Sequence, residues 1–195
     1  MPTGVTLHDA RERLFEAAER VLLRDGPSGL TSRAVTDEAG VAKGVLHRHF
    51  ADFDAFLAEL VHDRATRMEM STAALVALAG TGTVAGNLAE ALTSAFSPVA
   101  EAMLALITFR DELRRRLRET WPVGLPLIAE IVRMVRAYLL AEQSLGRVVA
   151  EADVSVLAPM LIGSVHLLLA DRTGESPAPD AVRAVVEGVL GGVLK

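Results

Sequence analysis

Lys43, His47, Arg48 and His49 fall within one short stretch, VAKGVLHRHF, with Ala42 and Gly44 beside them. Ammonium, guanidinium and imidazole groups at this spacing can bind phosphate oxygens or reach base edges, and the small residues let a backbone come close to a nucleic-acid groove. A metal role is not expected. Residues two apart on a helix point in different directions, so His47 and His49, with His62 further on, cannot share an ion on one helical face. No cofactor is expected either. The sequence has no nucleophile elbow, phosphate loop or HExxH motif, and its acidic residues scatter over helix surfaces, so an enzyme is not expected.

Two other polar features stand out. The run from Arg110 to Glu119 is dense in charge. It reads as a solvated helix face with Asp111–Arg115 and Glu112–Arg116 pairs, the alternative being a second nucleic-acid patch. His166 stands within an apolar helix, either as a core or interface histidine or as a polar anchor inside a ligand cavity.

The elements that must position these groups are helical throughout. From about His8 to Arg24, Leu14, Ala18, Val21 and Leu22 form one apolar stripe, and Asp25-Gly26-Pro27-Ser28-Gly29 then stops the helix. Thr31 suits an N-cap for a short helix ending at Glu38 that buries Ala34 and Val35. Gly40 supplies a left-handed turn, and a third helix runs from about Ala42 to His49. Asp52 caps a long fourth helix, with Phe56, Leu60 and Met68 on one face, that ends at Gly80-Thr81-Gly82-Thr83. Further helices are predicted near 84–96, 98–118, 125–144, 153–171 and 178–194. The last two are separated by Thr173-Gly174-Glu175-Ser176-Pro177.

With 195 residues, 51% of them hydrophobic and only 4% aromatic, the chain can bury a sizeable all-α core. It has no cysteine, which excludes disulfides and thiolate zinc sites and suits a reducing compartment. The first residues, MPTGVTLHDA, lack a signal-peptide pattern. The uncharged stretch from Val154 to Ala170 is shorter than the ~20 residues of a spanning helix. A cytoplasmic protein without membrane contact is expected. The formal charge of −5 argues against non-specific coating of nucleic acid but leaves room for a local cationic docking face.

Two short helices joined by a tight glycine turn, over Leu30 to Phe50, have the shape of a helix-turn-helix. Within and around it, Arg13-Leu14-Phe15-Glu16-Ala17-Ala18, Gly26, Leu30-Thr31, Ala39-Gly40-Val41, Lys43-Gly44 and His49-Phe50 stand at the spacings of TetR-family DNA-binding domains. The chain resembles that family over about residues 10–65. The resemblance implies that the third helix is the recognition helix, that a dimer binds a palindromic operator, and that the C-terminal helices bind an effector. Three positions depart from the family's habit: His47 stands where Tyr is usual, Ala42 where Ser or Thr is frequent, and Phe53 where Lys is common.

The expected architecture is an all-α N-terminal three-helix helix-turn-helix domain, residues 1–55, followed by a C-terminal helical effector-binding and dimerisation bundle, residues 56–195. Candidate DNA contacts are Thr31, Ser32 and Arg33, with helix-start amides near Ser32 and Asp52, and Ala42, Lys43, Gly44, Val45, His47, Arg48 and His49. Candidate walls for a largely apolar small-molecule effector are Phe96, Met103, Phe109, Leu113, Trp121, Ile128, Ile131, Val135 and His166. The helix 154–170 is apolar on two faces, one with Val154, Leu157, Leu161 and Leu168, the other with Val156, Met160, Gly163 and Leu167. It therefore needs two partners. With Val182, Val186, Val189, Leu190 and Val193 of the last helix, the second face is the candidate interface of a homodimer. The expected activity is a ligand-responsive transcriptional regulator, most simply a repressor. The alternative is a helical carrier of apolar molecules that binds no DNA.

Overall fold

The computed structural model describes residues 7–170 and 180–195, with side chains from residue 10 onward and excluding residue 170. The expected breaker at 173–177 lies outside the described residues. Among the described residues there are ten helices: α1 Leu7–Gly29, α2 Ser32–Glu38, α3 Gly44–His49, α4 Phe53–Ala77, α5 Val84–Ala95, α6 Pro98–Phe109, α7 Asp111–Leu117, α8 Pro126–Ser144, α9 Val154–Ala170 and α10 Ala181–Leu190. No strand occurs among them; the only β feature is an isolated antiparallel bridge between Val148 and Leu194. Among the described residues no single helix is long and apolar enough to cross a membrane.

The chain forms two compact units, residues 1–63 with 98–125, and residues 64–97 with 126–195. In the first, the apolar stripe of α1 buries Leu14, Ala18, Val21 and Leu22. Phe15, Phe50 and Phe56 close over it as an aromatic cluster, with ring centroids 5.0 to 6.0 Å apart. α6 packs along α1, with Met103, Leu106 and Ile107 buried. In the second unit, α8 packs against α9 and α5, while α10 packs against α5 and α9.

Local sequence signals account for most helix ends, and the exceptions have physical causes. α1 does not stop at Arg24. Helical geometry runs on to Gly29, broken only at Gly26, whose φ of 70° is left-handed. Pro27 then restarts the turn, because its ring pre-sets φ and its missing N–H is no loss at a first helical position. The helix expected over 98–118 is two helices, with Arg110 extended between them at φ −114°, ψ 95°. The second has its own charge order, Asp111 and Glu112 in the first turn and Arg114 to Arg116 in the last, which complements a separate macrodipole. α3 starts at Gly44 rather than at Ala42. In α2 the buried side chains are Val35 and Thr36; Ala34 is only half-buried.

Candidate nucleic-acid interface and ligand cavity

Thr31 is extended, and its Oγ1 accepts from the N–H of Ala34 at 3.1 Å, fixing where α2 begins. At the other end Gly40, at φ 65°, turns the chain, and the N–H of Val41 donates to the Thr36 carbonyl at 3.0 Å. Arg13 on α1 donates to the last carbonyl of this turn, at Ala39, over 3.0 Å. The bracing helix is thus closed at both ends and tied to α1.

On α3, Leu46 is buried and anchors the helix, while Val45 and His49 are half-buried. Ala42, Lys43, Gly44, His47 and Arg48 are exposed, so the face expected to meet DNA is the one left outside. No ion pair engages Lys43 or Arg48 among the described residues. The neighbouring acids are engaged. Glu38 accepts from Arg24 at 2.7 Å and from Arg20 at 2.8 Å, and these bonds hold its carboxyl below the usual range. Asp37 lies 3.5 Å from Arg33, exposed on both sides. Both acids of α2 nearest α3 are thus paired with arginines. Thr31 and Ser32 sit at the start of α2, but Thr31 spends its hydroxyl on the cap.

The start of α4 is capped by Asp52 as expected, and arginines from further along the chain reinforce it. Asp52 Oδ1 accepts from the Ala55 N–H at 2.8 Å, which lowers its pKa, and Arg116 donates to the other oxygen at 2.7 Å. Arg110 pairs with Asp54 through Nε at 2.5 Å and Nη2 at 3.2 Å. Its guanidinium lies 5.3 Å from the centroid of Phe53, which stacks on Phe56. Phe53 is therefore a platform for an arginine supplied by the α6–α7 junction. The charge run is not simply a solvated face: Glu112 does pair with Arg116, but Asp111 pairs with Arg114 rather than Arg115, and Arg110 and Arg116 reach back to α4.

The expected effector walls divide between the two units. In the first unit Met103 and Leu113 are buried in the core, and Trp121 is half-buried with its ring 4.7 Å from that of His62. Phe109 is 82% exposed and lines a surface depression of about 480 Å³ with Pro27 and Ser28. In the second unit Ile131 and Val135 fill the core and Ile128 is half-buried. Phe96 and His166 do meet, at 5.6 Å between ring centroids, and the buried His166 Nδ1 has no hydrogen-bond partner among the described residues. None of the nine lines the larger cavity, of about 540 Å³, which the second unit forms between α4, α5 and α8. Its walls are Arg64, Arg67, Met68, Ser71, Ala74 and Leu75 from α4, Leu78 just after it, Asn87, Glu90, Ala91, Ser94 and Ala95 from α5, and Met134 from α8. The available signal was the facing rows of Ala and Ser on α4 and α5, which leave space where larger residues fill it.

The expected dimer face divides in two. On α9, Val156 and Met160 are about half exposed, Leu167 is 71% exposed, and Gly163 borders open space. On α10, Val182, Val186 and Leu190 are buried within the chain itself, where α10 packs on α5 and α9. A side chain with no exposed surface has none to bury against a second copy, so these three are core. Val189 and Val193 are half-buried, and Gly188 borders open space.

Residues 14–60 match the family described as bacterial regulatory proteins, tetR family. Comparison with curated proteins gives no match. Among solved structures, the chain is similar to a TetR-family transcriptional regulator from Agrobacterium tumefaciens, at 14% identity and a TM-score of 0.70, over 96% of this chain and 99% of that one. It is similar to the transcriptional regulator FadR from Bacillus subtilis in complex with stearoyl-CoA, at 18% identity and a TM-score of 0.68, over 93% and 98%. It is similar also to the multidrug binding protein EbrR complexed with imidazole, at 21% identity and a TM-score of 0.59, over 92% and 94%. Residues 14–60 thus match the N-terminal domain of the bacterial tetR family of regulatory proteins, and over nearly its whole length the chain has a fold similar to that of solved TetR-family transcriptional regulators.

Proposed function

We propose that the protein is a cytoplasmic, ligand-responsive repressor that binds a palindromic operator as a homodimer and releases it when a small molecule enters the C-terminal bundle. In this reading residues 1–55 dock on DNA and residues 56–195 bind the effector and dimerise. The observation that carries it is the exposed face of α3, where Lys43, His47 and Arg48 stand clear while Asp37 and Glu38 are countered by arginines. A helix so anchored by Leu46 presents its cations to a major groove ~12 Å wide.

The exposed apolar face of α9, from Val156 to Leu167, supports a two-fold contact with a second copy. Half-sites about 34–36 Å apart demand a fixed separation of the two α3 helices. α4 is continuous from Phe53, next to α3, to Ala77, and carries cavity residues from Arg64 onward. An effector held against α4 alters that separation and so the affinity for both half-sites at once. The body of the effector is apolar, in keeping with Met68, Leu75, Leu78 and Met134 in the lining. The FadR relative was solved with stearoyl-CoA, which fits a ligand with an apolar body.

The test is selection of duplex fragments, including DNA flanking the gene, by the full-length protein, followed by Lys43→Ala. If Lys43 meets phosphate, affinity falls and the slope of log K against log salt flattens by about 0.9 for each phosphate that is no longer neutralised. Unchanged affinity and slope remove Lys43 from the interface. Failure of the wild type to retain any duplex at low salt refutes the regulator reading.

A further inference from the structure

We infer that the cavity of the second unit takes an amphiphile with an anionic head, carboxylate or phosphate, held at Arg64 and Arg67, with its apolar tail running toward Leu75 and Leu78. The inference rests on the reading of this chain as a ligand-responsive regulator and adds the chemical class of the ligand.

The cavity has two unlike ends, and hydrogen bonds fix which is which. At one end Arg64 Nη2 donates to Ser97 Oγ at 3.0 Å, joining the arginine part of α4 to the segment just after α5. At the other, Asn87 Nδ2 donates to the Leu78 carbonyl at 3.4 Å, joining the start of α5 to the segment just after α4. The two walls therefore run in opposite directions. Arg64 and Arg67 face the end of α5 with Ser94 and Ala95, and Leu75 and Leu78 face its beginning. Along α4 the distance from Arg64 to Leu78 is about 21 Å at ~1.5 Å per residue.

The middle is kept open by small side chains, Ser71 and Ala74 on one wall and Ala91 on the other. A volume of about 540 Å³ lies within the ~300–1,000 Å³ of small-molecule sites. Polarity is unevenly spread. Asn87 adds no donor to the tail end, because its amide already serves the Leu78 and Thr81 carbonyls and the Tyr138 hydroxyl. Among the described residues of the lining, Glu90 is the one acid, one turn before Ser94, and it stands on the wall opposite the guanidinium groups of Arg64 and Arg67. Guanidinium groups bind carboxylate and phosphate oxygens with paired, charge-assisted hydrogen bonds and keep donors to spare when already bonded once.

The test uses four ten-carbon probes that share a tail: decanoate, decyl phosphate, decanol and decyltrimethylammonium. Each is added below its micelle concentration to the full-length protein, and binding is read by calorimetry and thermal shift. At least one anionic probe binds about tenfold or more tightly than the alcohol and the cation, and comparison of decanoate with decyl phosphate identifies the head. Arg64→Gln and Arg67→Gln each lower that preference. Ala91→Trp, or Ala74→Phe from the opposite wall, blocks binding while the far-ultraviolet circular dichroism is unchanged. Equal binding of the cation, anionic binding that persists in both filled variants, or no binding of any probe overturns the inference. Duplex binding is measured on the same preparation: if it is intact, only the ligand class fails, and if it is absent, the regulator reading fails first.

Discussion

Arg147→Met exposes how the second unit holds the turn between α4 and α5. Glu142 on α8 is 0% exposed, yet ionisable. Its Oε1 accepts from the Tyr138 hydroxyl at 2.5 Å, its Oε2 accepts from the Gly80 N–H at 3.2 Å, and Arg147 lies 3.4 Å away. Arg147 also donates to the Thr81 and Gly82 carbonyls, at 3.3 and 2.7 Å. Removing the cation strands a buried carboxylate on two neutral donors, a defect that costs ~3–5 kcal/mol when a buried pair is broken from one side. The pair is long and Arg147 is partly exposed, which places the loss near the lower end, about 3 kcal/mol. Glu142→Gln removes the charge and keeps one acceptor oxygen, enough for Tyr138 or Gly80 but not both, so it costs about 1–2 kcal/mol. In that background Arg147→Met loses little more, giving a coupling of about 2 kcal/mol in the double-mutant cycle. Urea unfolding followed by far-ultraviolet circular dichroism measures all four proteins, with slopes checked for constancy. Losses that simply add, within ~0.5 kcal/mol, would refute the argument.

The other predictions concern separate parts of the molecule. Leu167→Arg on the exposed face of α9 converts the proposed dimer to a folded monomer in sedimentation, whereas Val186→Arg, in the core, unfolds the chain; the reverse pattern would put the interface on α10. Tyr138 is the only tyrosine, and burial, then its bond to Glu142, pushes it up to about 12. Its hydroxyl stays neutral in the folded state while the unfolded state ionises near pH 10, so this contribution to stability is whole below that pH and is lost as pH rises toward 12. Tyrosinate absorbance at 295 nm should appear near pH 12 in native protein and near pH 10 in urea, and coincident curves would contradict this. Arg110→Met and Arg116→Met, which remove part-exposed pairs worth ~0–1 kcal/mol each, lower duplex affinity only a few-fold and leave the salt slope unchanged. A flattened slope would mean that these arginines touch phosphate themselves.

What could be read in advance divides by sequence distance. Thr31, Gly40 and Asp52 act on backbone groups a few residues away, so the turn between α2 and α3 and the start of α4 were legible from type and order alone. The break at Arg110 was missed because apolar periodicity carries through it, while its partners Asp54 and Phe53 lie far back in the chain. The larger cavity was not legible for another reason. Large apolar residues such as Met103 and Val135 stand out in the sequence, but they fill the core, and the cavity is lined in part by small residues such as Ala74 and Ala91. An apolar face also does not say whose surface covers it. Val156 and Val186 have the same chemistry, and only the packing of α10 on α5 and α9 separates an open face from a covered one.

The first unit is stitched from two lengths of chain, residues 1–63 and 98–125. A fragment cut after residue 63 would keep every residue of the helix-turn-helix and yet lose α6, the neighbour along which α1 packs, and both arginines that grip Asp52 and Asp54. Hybrid regulators made by splicing another protein's C-terminal portion at residue 56 would meet the same difficulty, since the incoming α6 must suit the outward side of this α1. Transplanting the DNA specificity of this protein therefore calls for carrying α6 and α7 along with the head, or for regrafting only the exposed positions of α3 onto a host whose own α1 and α6 already fit each other.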